Sequence, residues 1–163
     1  MDQLAAQLGG LLKSRGMMLA TAESCTGGAV AMAVTDIAGS SAWFERGFVT
    51  YANQAKIEML GVRPVSLEIH GAVSEAVVRE MAAGALRHSH AQVALAVSGI
   101  AGPDGGSPQK PVGTVWFAWA LKDGETWARV HHLPGNRAAI RAQSVQIALT
   151  GIIALVGGAT CLA

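Results

Sequence analysis

A chain of 163 residues with 51% apolar and 14% charged side chains suits one domain with a substantial core, and excludes a disordered or fibrous protein. Its formal charge of +1 supplies no broad positive field, which speaks against nucleic acid or an anionic membrane as partner. Two cysteines near opposite ends, Cys25 and Cys161, and a start "MDQLAAQLGG" without the basic and apolar regions of an export signal fit a reducing cytoplasm.

Leu4, Leu8, Leu11 and Leu12 recur at helical spacing and Gly16 stands where a helix stops, which predicts a first helix. "MMLATA" (17–22) reads as a short buried strand, and "SCTGG" (24–28) turns from it into the apolar run 29–34, a second helix. Ser24 therefore sits at a strand-to-helix junction. "FERGFVTYA" (44–52) has strand character, with the strand ending at Tyr51. Asn53 is placed to cap a helix that carries Ile57 and Leu60 and ends at Gly61, and His70 falls in a loop.

Ser74 opens "SEAVVREMAAGALRHSH" (74–90), in which Val77, Met81 and Ala85 share one face while Arg79, Glu80 and Arg87 face water. "VALAVSG" (93–99) is a buried strand. "GTVWFAWAL" (113–121) and "ETWARVHHL" (125–133) form a hairpin across Asp123-Gly124, a favoured turn pair. A last helix starts near Asn136 and runs through Ile140, Val145 and Leu149. The run 152–156 is glycine-broken and far shorter than the ~20 apolar residues a bilayer span takes, so it reads as a helix end and tail. Strands alternating with helices, plus one hairpin, predict a single α/β domain over residues 1–163, a mixed β-sheet covered by helices.

Ligands of open α/β sheets bind at strand ends, where helix N-termini offer free backbone donors. Two glycine-rich turns occupy such ends: "SCTGG" and "SGIAGPDGG" (98–106), the second continuing through "SPQKPVG" to Gly113. Glycines let backbone N–H groups approach a phosphate or an oxyanion with no side chain in the way. Neither turn is a nucleotide fingerprint, since Lys110 precedes a proline and the spacing departs from G-x-G-x-x-G. Without H-E-x-x-H or paired cysteines, a metal site has no support.

A serine hydroxyl needs a base to become a nucleophile. Spacing brings none of the histidines His70, His88, His90, His131 and His132 to Ser24. A lysine serves instead if burial pulls its pKa down from about 10.4, and Lys56, on the helix just after the strand with Tyr51, is the candidate. Cys25 is a rival nucleophile, because a thiol at a helix N-terminus ionises more readily, and residue type alone does not choose between the two. Glu23 can accept backbone donors or a ligand hydroxyl. Arg137 and Arg141, four positions apart, share a helical face and can grip a phosphate. The plainer alternatives are a solvated Lys56, a core Tyr51, a buried filler at Cys25, a turn-bracing Glu23 and an arginine pair that serves solubility.

"TAESCTGG", "GSSAWFERGFVTYANQAK", "HGAVSEAVVREMAAGAL", "SGIAGPDGG" with "KPVGTVWFA", and "GNRAAIRAQ" together resemble the CinA C-terminal-domain family, and within it the stand-alone bacterial nicotinamide-nucleotide amidases, over residues 12–149. The resemblance implies a single α/β domain that hydrolyses the carboxamide of nicotinamide mononucleotide to nicotinate mononucleotide and ammonia, without metal or cofactor. It makes Ser24 the nucleophile, Lys56 its base, Tyr51 a neighbour that orients or relays the proton, and Cys25 a packing residue. Ser98, Gly99, Ile100, Ala101 and Gly102 would contact the nucleotide, with Arg137 and Arg141 at its phosphate. Backbone N–H groups at Thr26, Gly27 or Gly28, at a helix start, are the expected oxyanion donors. Two other classes of function remain open: a nucleotide-binding regulatory module that does not hydrolyse, and an interaction domain. The chain beyond Leu149 is more apolar than the family pattern, and with "VWFAWAL" it points to a homo-oligomer.

Overall fold

Along β3 (Val93–Gly99) large and small apolar side chains alternate, and every residue but the last is buried. Successive side chains of a strand point to opposite faces, so such a strand builds two different cores at once. Val93, Leu95 and Val97 join Leu19, Val115, Phe117 and Trp119 on one face of the sheet, while Ala94 and Ala96 join Ala20, Ala22, Ala118 and Ala120 on the other. The large-residue face is covered by α1 (Asp2–Arg15), α2 (Ala29–Thr35) and α6 (Arg137–Gly157). The alanine face takes α5 (Glu75–Arg87), which packs on β1 (Leu19–Glu23), β3 and β4 (Thr114–Leu121) with the fully buried Val77, Val78, Met81, Ala82 and Ala85.

The computed structural model describes residues 1–159. The remaining elements are β2 (Phe44–Val49), α3 (Asn53–Leu60), α4 (Pro64–His70) and β5 (Thr126–His132), with a 3₁₀ turn at Ser40–Ala42. The strand order is β2-β1-β3-β4-β5, the first three parallel and the last two added antiparallel, as the mixed sheet with a hairpin requires. From β1 the chain goes out to the β2 edge through α2, then returns across β1 to β3 through α3, α4 and α5. The two connections leave on opposite faces, the arrangement that in open α/β sheets makes the crevice at the carboxyl ends of the strands the place where ligands bind.

Four local expectations change. The strand stops at Val49 rather than Tyr51: Thr50 N–H still bonds the Glu23 carbonyl, and the chain then turns into α3. Ala52, not Asn53, is the N-cap; its backbone is extended and Asn53 is already helical. His70 is the last residue of a short helix rather than part of a loop, and the signal was Pro64, which opens α4 at its first turn. The run 152–156 is the end of α6, as expected, but helix throughout rather than tail: the helix continues through Gly151, where the Trp119 indole occupies the space of a side chain and donates Nε1–H to the Ala148 carbonyl at 2.8 Å. That makes α6 long and apolar enough to cross a membrane by length and composition, yet Ile140, Val145, Ala148, Leu149, Ile152, Leu155 and Val156 are buried against the sheet and α1. The apolar stretch of β4 is likewise accounted for by burial of Val115, Phe117 and Trp119 inside the sheet. Cys161 and the tail beyond 159 lie outside the described residues.

The hairpin turn carries Asp123 at φ 57°, and the Ser74 hydroxyl caps α5 by accepting from Val77 N–H, both as the sequence indicates. α5 and α3 approach closely where Gly84 meets the Leu60 carbonyl with no room for a methyl group. Gly84→Ala must push α3 outward; overpacking of this kind costs about 1–3 kcal/mol. We expect a lower denaturation midpoint in urea than for the unsubstituted chain.

Candidate active site

Three parallel strands deliver their carboxyl ends to one crevice, and each supplies a turn. Ser24 follows β1 and is held by its own backbone, whose N–H donates to the Val97 carbonyl of β3 at 3.0 Å. Its side chain is largely buried, with 9% of the residue exposed. Thr50, just past β2, is joined to β1 by the last ladder bond, so the start of α3 lies directly beside the serine turn.

Lys56 points inward from α3 and is 1% exposed, so it is not a surface lysine. Its Nζ lies 3.1 Å from Ser24 Oγ, 2.8 Å from the Thr50 carbonyl and 3.3 Å from the Tyr51 carbonyl. Removal from water disfavours the charged amine and lowers its pKa from the usual 10.5; Cys25, which as a thiolate would raise it, is the one opposing influence. A neutral amine has two N–H bonds and one lone pair. With the Thr50 and Tyr51 carbonyls taking the two hydrogens, the lone pair is left for the Ser24 hydroxyl.

The turn after Ser24 is braced by Glu23. Its carboxylate accepts Val30 N–H at 2.8 Å and Ala31 N–H at 3.0 Å, so it satisfies the first free donors of α2 and lies on the positive end of that helix. The Thr21 hydroxyl donates to it at 3.4 Å. Gly27 N–H closes the turn on the Ser24 carbonyl at 3.0 Å, which takes Gly27 out of the set of free oxyanion donors; the amides of Thr26 and Gly28 have no internal acceptor among the described residues. Gly27 and Gly28 adopt φ 58° and 94°, a region glycine enters without strain. Cys25 is 5% exposed, and burial pushes its thiol up to about 11, against smaller lowering effects from its own backbone and Arg141. It is packed and protonated at neutral pH.

Both arginines of α6 reach the crevice. Arg137 donates to the Gly102 carbonyl at 2.9 Å and to the Tyr51 hydroxyl at 3.0 Å, and is itself exposed. Arg141 donates from Nε to the Cys25 carbonyl at 3.2 Å and from Nη2 to the Thr26 carbonyl at 3.0 Å. Neither pairs with a carboxylate among the described residues. Tyr51 is 60% exposed, so it is not core; its carbonyl meets Lys56, and its hydroxyl meets Arg137 rather than Ser24 or Lys56.

The third turn follows β3. Ser98 is buried and donates its hydroxyl to the Ala72 carbonyl at 2.8 Å; Gly99 packs against Val115; Ile100 N–H is bonded to the Thr114 carbonyl. Ala101 and Gly102 lie buried at the tip, with their amides free of internal acceptors among the described residues. No cluster of three or more potential metal ligands occurs among the described residues. The carbonyls of Thr50 and Tyr51 leave no signal in the sequence, because every residue has a carbonyl and no residue type marks where one will point.

This constellation can be set beside known proteins. The family model for the CinA C-terminal domain matches residues 1–156. Among curated relatives, the "Nicotinamide-nucleotide amidohydrolase PncC" of Escherichia coli strain K12 is 60% identical over 147 residues, covering 90% of this chain and 89% of that protein. The protein of the same name from Pseudomonas putida is 51% identical over 93% of this chain and 94% of its own length. Among solved structures, the competence/damage inducible protein CihA from Agrobacterium tumefaciens superposes with a TM-score of 0.92 at 47% identity, covering 94% of each chain. The crevice at three strand ends therefore sits on a shared scaffold, and the chain belongs to the CinA C-terminal-domain family.

Proposed function

We propose that the chain is an amidohydrolase that converts nicotinamide mononucleotide to nicotinate mononucleotide and ammonia, with Ser24 as nucleophile and Lys56 as its base. The observation that carries the mechanism is a fully buried amine 3.1 Å from a serine hydroxyl, with its other hydrogens engaged by two carbonyls. The substrate is suggested by the relatives named above as nicotinamide-nucleotide amidohydrolases.

In this reading Ser24 Oγ attacks the carboxamide carbon while its proton passes to Lys56 Nζ. The new C–O bond forms as the carbonyl π-bond opens, and the resulting oxyanion takes N–H bonds from the turn, where the Thr26 and Gly28 amides are free. Lys56 then returns the proton to the departing nitrogen, the C–N bond breaks and ammonia leaves. Water cleaves the acyl-enzyme with the same amine as base, which regenerates Ser24. The pyridinium ring withdraws electrons from the carboxamide, so a modest base suffices. Arg137, exposed and without a carboxylate partner, suits the phosphate, and the turn 98–102 lines the other side of the nucleotide.

Serine rather than cysteine fits the nucleophile because an amine can deprotonate a hydroxyl held against it, whereas the Cys25 thiol is buried and resists ionisation. A regulatory module without turnover would have no use for an amine desolvated against a hydroxyl, and that favours the enzyme over the binding protein.

Four outcomes are expected in an ammonia-release assay on the mononucleotide. Ser24→Ala abolishes turnover while calorimetry still detects binding, and Lys56→Met lowers kcat by at least ~10²-fold, the lower range for a lost general base. Cys25→Ala keeps activity within about threefold; a loss as deep as that of Ser24→Ala would transfer the role to the thiol. The fourth outcome concerns pH. The folded pKa of Lys56 is lowered, so kcat/KM rises with pH as the amine loses its proton and falls toward acid, and Lys56→Met removes this limb. Between that folded pKa and the unfolded value of 10.5 the unfolded chain holds a proton that the folded chain lacks, so the Lys56 contribution to stability also increases with pH across that window.

A further inference from the structure

We propose that Arg141 is a positioning residue of the oxyanion turn, acting through the peptide groups behind it and not as a ligand of the substrate phosphate. This rests on the amidase reading above and assigns one of its parts. The parallel N–H bonds of Nε and Nη2 lie on two successive carbonyls, Cys25 at 3.2 Å and Thr26 at 3.0 Å. A guanidinium is a rigid planar fork, so gripping both carbonyls fixes the orientation of both peptide planes.

The consequence for the site follows from which N–H belongs to each carbonyl. The Cys25 carbonyl shares its peptide with Thr26 N–H, and a cation on the oxygen draws electrons along the amide, which makes that N–H a stronger donor. Thr26 N–H has no internal acceptor among the described residues and stands two positions after the nucleophile. The Thr26 carbonyl shares its peptide with Gly27 N–H, which donates to the Ser24 carbonyl and closes the turn. One side chain therefore strengthens a free donor and the bond that holds the nucleophile's backbone.

The Thr26 carbonyl also accepts Ala29 N–H at 3.1 Å, so the arginine completes a site already partly built at the start of α2. Both carbonyls are neutral, and the guanidinium has no carboxylate partner among the described residues to cancel its charge. The charge thus remains available to the turn. Arg137, one helical turn earlier, makes its contacts at the exposed rim, with Gly102 and Tyr51.

The test compares Arg141→Lys and Arg141→Met with Arg137→Ala on nicotinamide mononucleotide and on nicotinamide riboside, which lacks the phosphate. Lysine retains a charge that can serve a phosphate but cannot span two carbonyls as a fork. Arg141→Lys is expected to lower kcat about tenfold on both substrates with KM changed less than about twofold, a part of the ~10²–10³ lost with a whole oxyanion donor. A raised KM on the mononucleotide alone, with kcat unchanged and the riboside unaffected, would make Arg141 a phosphate ligand and overturn the proposal. If Arg141→Met fails to fold, the lysine variant carries the comparison. If the wild-type protein releases ammonia from neither substrate, the amidase reading falls by itself. The assignment of Arg141 is then read by NMR, where the Thr26 backbone nitrogen resonance moves upfield in Arg141→Lys; an unmoved resonance overturns it.

Discussion

An amine forced out of water beside a hydroxyl is the constraint around which this molecule is arranged. A lysine side chain is ordinarily solvated, and burying one is unfavourable unless its hydrogens find acceptors. Here the Thr50 and Tyr51 carbonyls supply them, and both belong to the short link between β2 and α3 that the sheet itself positions. The Ser24 hydroxyl is the remaining neighbour. The same arrangement that makes the lysine tolerable therefore suits the proposed role, since in a neutral amine these contacts leave the lone pair to the hydroxyl.

That arrangement depends on packing some distance away. Lys56 is aimed by α3, and the end of α3 is set by the close approach of Leu60 to Gly84 on α5. α5 in turn lies close to the sheet because the strands present alanine on that face: Ala20, Ala22, Ala94, Ala96, Ala118 and Ala120. On the opposite face the strands present Leu, Val, Phe and Trp, and helices packed there stand on bulkier side chains. α3 thus reaches the site by packing on α5, whereas α6 lies on β3 and β4 across the other face and brings its N-terminal arginines to the turns.

The electrostatics of the crevice show a division between compensated and uncompensated charge. The Glu23 carboxylate is absorbed by the helix start of α2, and Arg46, Arg63 and Arg79 have carboxylate partners on the surface. Arg137 and Arg141 face only neutral acceptors. In the proposed reaction an oxyanion develops and the ligand carries a phosphate, and both gain from positive charge left without a partner, because nearby anions would screen it.

Residue types and their periodicity determined much of this protein in advance. Leu4, Leu8 and Leu12 mark α1, the alternating large and small residues of 93–99 mark a strand with two buried faces, Ser74 caps α5, and "SCTGG" places a serine between a strand and a helix. These features are local, fixed by side-chain spacing and backbone preference, and so are legible in one dimension. That Lys56, already the candidate in the sequence, is buried, which carbonyls receive its hydrogens, and that Arg141 grips the turn behind the serine were decided by tertiary structure. Those contacts join residues as distant as Ser24 with Lys56 and Cys25 with Arg141, and they depend on strand order and on how closely helices pack. Burial and distance are properties of the folded chain, and no single residue type encodes them.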